Sequence, residues 1–147
     1  MRHGLLVAAS VLAVAAVACG NRSDTPDRDE AVRTVSQHAV EAWAEAGSQG
    51  LLDYLSVSVL SHCTAARLQE VMASQPAPTS WRETKDIKQV SATETTATVI
   101  FESNGQEVNQ SWSFALENYS WRVSEMPGLA DCTPGEGRRI TIGRLTV

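Results

Sequence analysis

The side chains able to move a proton or act as a nucleophile are few. The 147 residues hold three histidines and three cysteines. His38, Asp53 and His62 suit general acid–base work, with Tyr54 as a hydrogen-bond donor. Such work needs a carboxylate or imidazole in an apolar pocket that moves its pKa toward neutrality. His38 falls at the edge of an apolar helical stripe, and Asp53 in a Leu-rich segment where a solvent-facing position is the default. Neither forms an Asp–His dyad at a recognisable spacing, so no catalytic residue is assigned. His62 adjoins Cys63, but sequence neighbours usually point in different directions, which disfavours a Cys–His nucleophile. His-x-x-His, Cys-x-x-Cys and calcium-loop spacings are missing, so neither a metal nor a cofactor is expected. The phosphate-binding glycine loops and the Gly-x-Ser-x-Gly elbow are missing too.

The remaining chemistry is at the amino terminus. Arg2 precedes an apolar run over residues 5–18, and Ala16-Val17-Ala18 leads directly into Cys19. The run is shorter than the roughly twenty residues of a spanning helix and suits a signal-peptide core. This arrangement resembles bacterial lipoprotein precursors. The resemblance implies cleavage before Cys19 and fatty acylation of its sulfur, although Ala16 replaces the usual Leu of the lipobox. An ordinary signal peptide, with Cys19 incidental, is the alternative. An acylated Cys19 would hold the protein on the outer face of the membrane. Cys63 and Cys132 would then remain as an even pair in an oxidising compartment, which predicts a disulfide. That bridge closes a loop of about seventy residues and stabilises by roughly 4 kcal/mol on the chain-entropy model. Sequons at Asn21, Asn109 and Asn118 carry meaning only in a eukaryotic source.

Residues 1–18 thus read as a leader, 19–27 as a polar tether and 28–147 as one domain. Seventeen acidic against twelve basic residues give a net charge of −5. This evenly mixed, mildly acidic balance argues against nucleic-acid partners and against a polybasic membrane patch.

The elements that must position these groups follow from periodicity. Asp27 and Glu30 resemble a capping box opening a helix that runs to Ala46. Val32, Val35, Ala39, Trp43 and Ala46 form its apolar face, and Gly47 its left-handed cap. A short helix is expected over residues 51–55, an ambiguous stretch over 56–60, and a third helix over 64–74 with Ala65, Leu68, Val71 and Met72 buried. After Pro76 and Pro78 the pattern becomes strand-like. Strands are expected over 82–91 (Ile87 and Val90), 97–101, 108–116 (Trp112, Phe114 and Leu116 on one face) and from Trp121 to Ser124. Asn104-Gly105 is the strongest hairpin signal. Residues 139–142 and 145–147 suggest a last short strand.

Helices followed by antiparallel strands predict an α+β domain with the helices on one face of a curved sheet. The first helix with Trp43, the Leu51-Leu52-x-Tyr54-Leu55 segment and the Asn118-Tyr119-Ser120-Trp121-Arg122-Val123 hairpin carry a further resemblance over roughly residues 28–126. The chain resembles the cone-shaped NTF2-like (cystatin-like α+β roll) superfamily. Within it, the chain is most similar to small actinobacterial lipoproteins with a lumazine-binding-like domain. The resemblance implies a cone between helices and sheet that hosts an enzyme or a binding site. The four tryptophans read first as helix-on-sheet core. Alternatively Trp43, Asp53, Tyr54, Trp112 and Trp121 line a pocket. The favoured function is a non-catalytic, membrane-anchored domain that binds a small apolar ligand or an envelope protein. The alternatives are an isomerase or dehydratase using Asp53 with a histidine, and a homodimer formed through the outer sheet face.

Overall fold

The computed structural model describes residues 27–132. The leader, Cys19 and the expected strand near the carboxyl terminus lie outside the described residues. Helix α1 (Arg28–Ala46) is followed by α2 (Ser48–Leu51), a 3-10 turn (Leu52–Tyr54), α3 (Val57–His62) and α4 (Ala65–Met72). Four strands follow: β1 (Ser80–Ser91), β2 (Glu94–Ser103), β3 (Gln106–Glu117) and β4 (Ser120–Glu125), and then a 3-10 turn (Leu129–Cys132). The strands pair in sequence order, all antiparallel. The fold is α+β, with helices packed on one face of a curved sheet.

Period-two alternation sets the inner face. Thr95, Ala97, Val99, Phe101 and Ser103 of β2, with Trp112 and Phe114 of β3 and Val123 of β4, are buried. Val32, Ala39, Val40 and Trp43 of α1 pack onto them, and Trp43 meets Phe101 with ring centroids 5.8 Å apart. The buried face of α1 is rotated from the predicted stripe. Ser36 is fully buried, whereas Val35 is half-buried and Ala46 exposed. A count of apolar residues cannot anticipate Ser36, whose hydroxyl meets that of Thr84 on β1 at 2.5 Å. The capping box does not form, because Asp27 makes no side-chain cap bond. Gly47 has φ +64° as expected of a cap, but its ψ of −155° turns the chain back instead of into a left-handed turn.

The ambiguous stretch becomes α3, capped by Ser56 accepting from the Val59 amide at 3.3 Å. Thr64 caps α4 in the same way, and Ala65 of that helix is exposed rather than buried. Val90, which with Ile87 marks this strand in the sequence, is 61% exposed. Asp86 (φ +52°) lies inside a register shift between Lys85 and Lys88. Such a bulge bends its strand and changes which side chains face inward.

Three features close the domain. Leu55 bridges Val123 in parallel, and the Ser56 amide donates to the Val123 carbonyl at 2.8 Å, covering part of the β4 edge. Gly50 brings α2 onto α1 so closely that a Cβ there would sit 2.1 Å from the Ala42 carbonyl oxygen. Cys63 and Cys132 are joined in a disulfide, with Cα atoms 5.0 Å apart. No helix among the described residues is long and apolar enough to cross a membrane.

Candidate functional site

At the end of the sheet where α1 begins, the helical layer and the strands part into a cleft of about 770 Å³. Its helical wall carries Ala31, Val35 and His38 of α1, with Tyr54 of the 3-10 turn beside them. The sheet wall carries Leu116, Trp121 and Arg122 of the β3–β4 hairpin and Gln89 of β1. His38 and Tyr54 are tilted rings with centroids 6.5 Å apart. At the rim, Arg28 donates to Gln89 Oε1 at 2.7 Å and to Asp29 Oδ1 at 2.6 and 2.8 Å. This brace ties the first turn of α1 to the sheet.

Local chemistry explains the sheet wall. Leu116 and Trp121 are cross-strand partners on the inner face, one pair in from the turn. The turn residues Asn118 (φ +49°) and Tyr119 (φ +63°) are both left-handed, which matches the twist of a two-residue hairpin. Tyr119 occupies the position that glycine fills at the Asn104-Gly105 turn, and its side chain is fully exposed at the cleft edge. Behind it, Arg122 donates from its guanidinium to the main-chain carbonyl of Asp53 in an exposed hydrogen bond. Among the described residues Arg122 has no carboxylate partner.

The residues named from sequence separate into three groups. Tyr54 and Trp121 line the cleft. Trp112 is core: it is fully buried, and its Nε1–H donates to Gln110 Oε1 at 2.9 Å. Trp43 is core as well, showing only an edge to a separate shallow groove beside Gly47 and Met72. Asp53 is exposed and lines neither cleft described here. His38 enters the large cleft, whereas His62 borders a smaller one of about 350 Å³ beside Val59, Leu129 and the disulfide. An aspartate–histidine pair therefore has no shared pocket. Val35, Leu116, Arg28, Gln89 and Arg122 were not named as site residues from the sequence, where Val35 and Leu116 read only as apolar-face residues.

Among the described residues no group of three or more histidine, cysteine, aspartate or glutamate side chains is placed to hold a metal ion. The outer face of the central strands presents Thr96, Thr98, Ser111 and Ser113, with Ile100 buried among them. It offers hydroxyls, not the apolar strip that a dimer through this face would bury.

Fold and site together define an α+β domain with an open cleft at the start of its first helix. No family model matches the chain, and no curated protein is similar to it.

Proposed function

We propose that the chain is an exported lipoprotein whose domain, hung from the membrane by an acylated Cys19, binds a small apolar ligand without transforming it. The observation that carries this reading is the position of the cleft. Arg28, the first residue of α1, is on its rim. Residues 19–27 would tether that rim to the lipid, and fully extended they reach no more than about 30 Å. The mouth of the cleft would thus be held close to the bilayer surface. Its volume falls within the roughly 300–1,000 Å³ of small-molecule sites, and its walls carry the aromatic and aliphatic side chains of Val35, Tyr54, Leu116 and Trp121 beside polar ones that include Arg28, Glu30, Thr34 and Gln89. The order of elements, helices and then a meander, suits the NTF2-like organisation.

Membrane fractionation tests the anchor. Wild-type protein is expected in the membrane fraction and Cys19→Ala in the medium; wild-type protein recovered only from the medium would end the reading. Native mass spectrometry tests the ligand, with a bound apolar molecule expected on wild-type protein and lost on Val35→Asp.

A further inference from the structure

We infer that the end of the domain where α1 begins is a membrane-contact surface, with Tyr119 and Val57 entering the headgroup layer of the bilayer that carries the chain. This inference rests on the anchored reading above. Among the described residues the exposed large hydrophobic side chains are Val57, Leu60, Val90 and Tyr119. Tyr119 is on the β3–β4 turn and borders the same cleft as Arg28, the first residue of α1. The Val57 amide donates to Glu117 Oε2 at 2.9 Å, which sets the start of α3 beside the last residue of β3. Leu60 follows one turn along α3. The turn at the other end of the sheet, Asn104-Gly105, carries no such side chain.

The β3–β4 hairpin also projects. The Leu116 amide donates to the Thr93 carbonyl at 2.8 Å, so the β1–β2 turn is level with Leu116. The Asn118-Tyr119 turn continues farther along the strand direction, by about 7 Å at the rise of a β-strand. Val90 precedes the lower turn and is set back. Tyr119 therefore leads. Its ring is fully exposed at a left-handed position that glycine would adopt without strain, so packing inside the domain does not account for it. A phenol joins an apolar ring to a polar tip, which suits the boundary between acyl chains and water.

The occupant follows from where the chain enters. Only residues 19–27 separate Arg28 from the acylated Cys19 of the proposal. So short a link keeps this end at a high local concentration of lipid, and a weak apolar contact then suffices. Charge does not supply the attraction. Arg28 is paired with Asp29, and the acidic side chains of this end, Glu30, Glu94 and Glu117 among them, outnumber the remaining basic ones. The surface therefore suits zwitterionic lipid.

The test measures depth on the chain as the cell makes it, reconstituted in phosphatidylcholine vesicles. A nitroxide is attached at Ser120→Cys beside Tyr119, at Ser58→Cys beside Val57, or at Gln106→Cys beside the opposite turn; all three positions are exposed. The labels at 120 and 58 should lie within about 5–10 Å of the headgroup–acyl boundary, shielded from a water-soluble nickel relaxant. The label at 106 should stay in water. Tyr119→Asn keeps a residue that tolerates the left-handed turn. It should return the label at 120 to water while the chain stays on the vesicles, and Tyr119→Trp should hold the depth. Vesicles containing phosphatidylglycerol should give no deeper reading. A vesicle-bound chain whose label at 120 is as water-exposed as that at 106 overturns the inference and leaves the anchored reading standing. Shielding that survives Tyr119→Asn assigns the depth to the tether alone and overturns it too, as does a deeper reading on the anionic vesicles. If the wild-type chain is not on the vesicles at all, the anchored reading itself fails and this surface falls with it. The comparison of positions 120 and 106 decides the matter even if a Tyr119 variant does not fold.

Discussion

Two buried hydroxyls on the inner face of the sheet have opposite hydrogen-bonding states. Trp81 Nε1–H donates to Thr84 Oγ1 at 3.2 Å, and the Ser36 hydroxyl donates to the Arg33 carbonyl at 2.9 Å. The 2.5 Å contact between Ser36 and Thr84 must then be donated by Thr84. The result is a short relay in which every donor is used, pinning α1 to β1. Thr84→Val breaks both of its bonds, leaving the Trp81 indole N–H without an acceptor and the Ser36 oxygen without its donor. It should cost about 2 kcal/mol, read as a lower urea midpoint at an unchanged slope. Thr95 is the reverse case: it is fully buried on β2 and, among the described residues, its Oγ1 has no partner. Thr95→Val keeps the shape and removes the desolvated hydroxyl. It should raise stability by about 1 kcal/mol in the same titration. If both substitutions destabilise equally, the two threonines do not differ in the way their contacts require.

At the scale of elements, the two hairpin turns joining β2–β3 and β3–β4 use one geometry with unlike sequences. Asn104 (φ +51°) and Gly105 (φ +75°) form the turn at low cost. Tyr119 at φ +63° does so against its side-chain preference, by about 1–2 kcal/mol. Tyr119→Gly should therefore stabilise by up to about 1 kcal/mol, the gain being limited by glycine's greater unfolded-state freedom, while weakening binding of the proposed apolar ligand. Opposed changes in stability and affinity are the signature of strain retained for function; a fall in both would make Tyr119 purely structural. The same contrast shows what the sequence made legible. Asn104-Gly105 could be read directly, because composition alone selects that turn. The Asn118-Tyr119 turn could be placed but not its backbone geometry. The helical and strand halves followed from periodicity. The rotated face of α1 did not, because Ser36 is buried through a partner forty-eight positions away. Nor could the cleft be read, since its walls come from α1, the 3-10 turn, β1 and the last hairpin, and only tertiary register brings Val35, Tyr54, Gln89 and Trp121 together. Trp43 and Trp112 are as aromatic as Trp121, and composition cannot separate a core ring from a wall ring.

Across the whole molecule, the disulfide ties the two halves of the chain together at the end of the helical layer. Cys63 follows α3, and Cys132 ends the turn after β4, with a sequence separation of 69. Both cysteines are buried, as are Leu129 and Met126 beside the carboxyl-terminal one. Closing so long a loop restricts the unfolded chain enough to stabilise the fold by about 4 kcal/mol on the chain-entropy model. A domain of this size holds only about 5–15 kcal/mol in total. The reduced protein should therefore be marginal, and that dependence couples the fold to the compartment in which it forms. Urea unfolding with and without dithiothreitol should show a large loss of midpoint on reduction. The Cys63→Ser, Cys132→Ser double variant should match the reduced wild type, because the bridge acts on the unfolded chain and not through the thiols themselves. On the proposal that the chain is exported, deleting residues 1–18 should, for the same reason, yield cytosolic protein that is reduced and degraded quickly, whereas the full-length chain persists. A leaderless product as stable as the full-length one would separate the fold from its bridge, and would remove the thermodynamic argument for the proposed export.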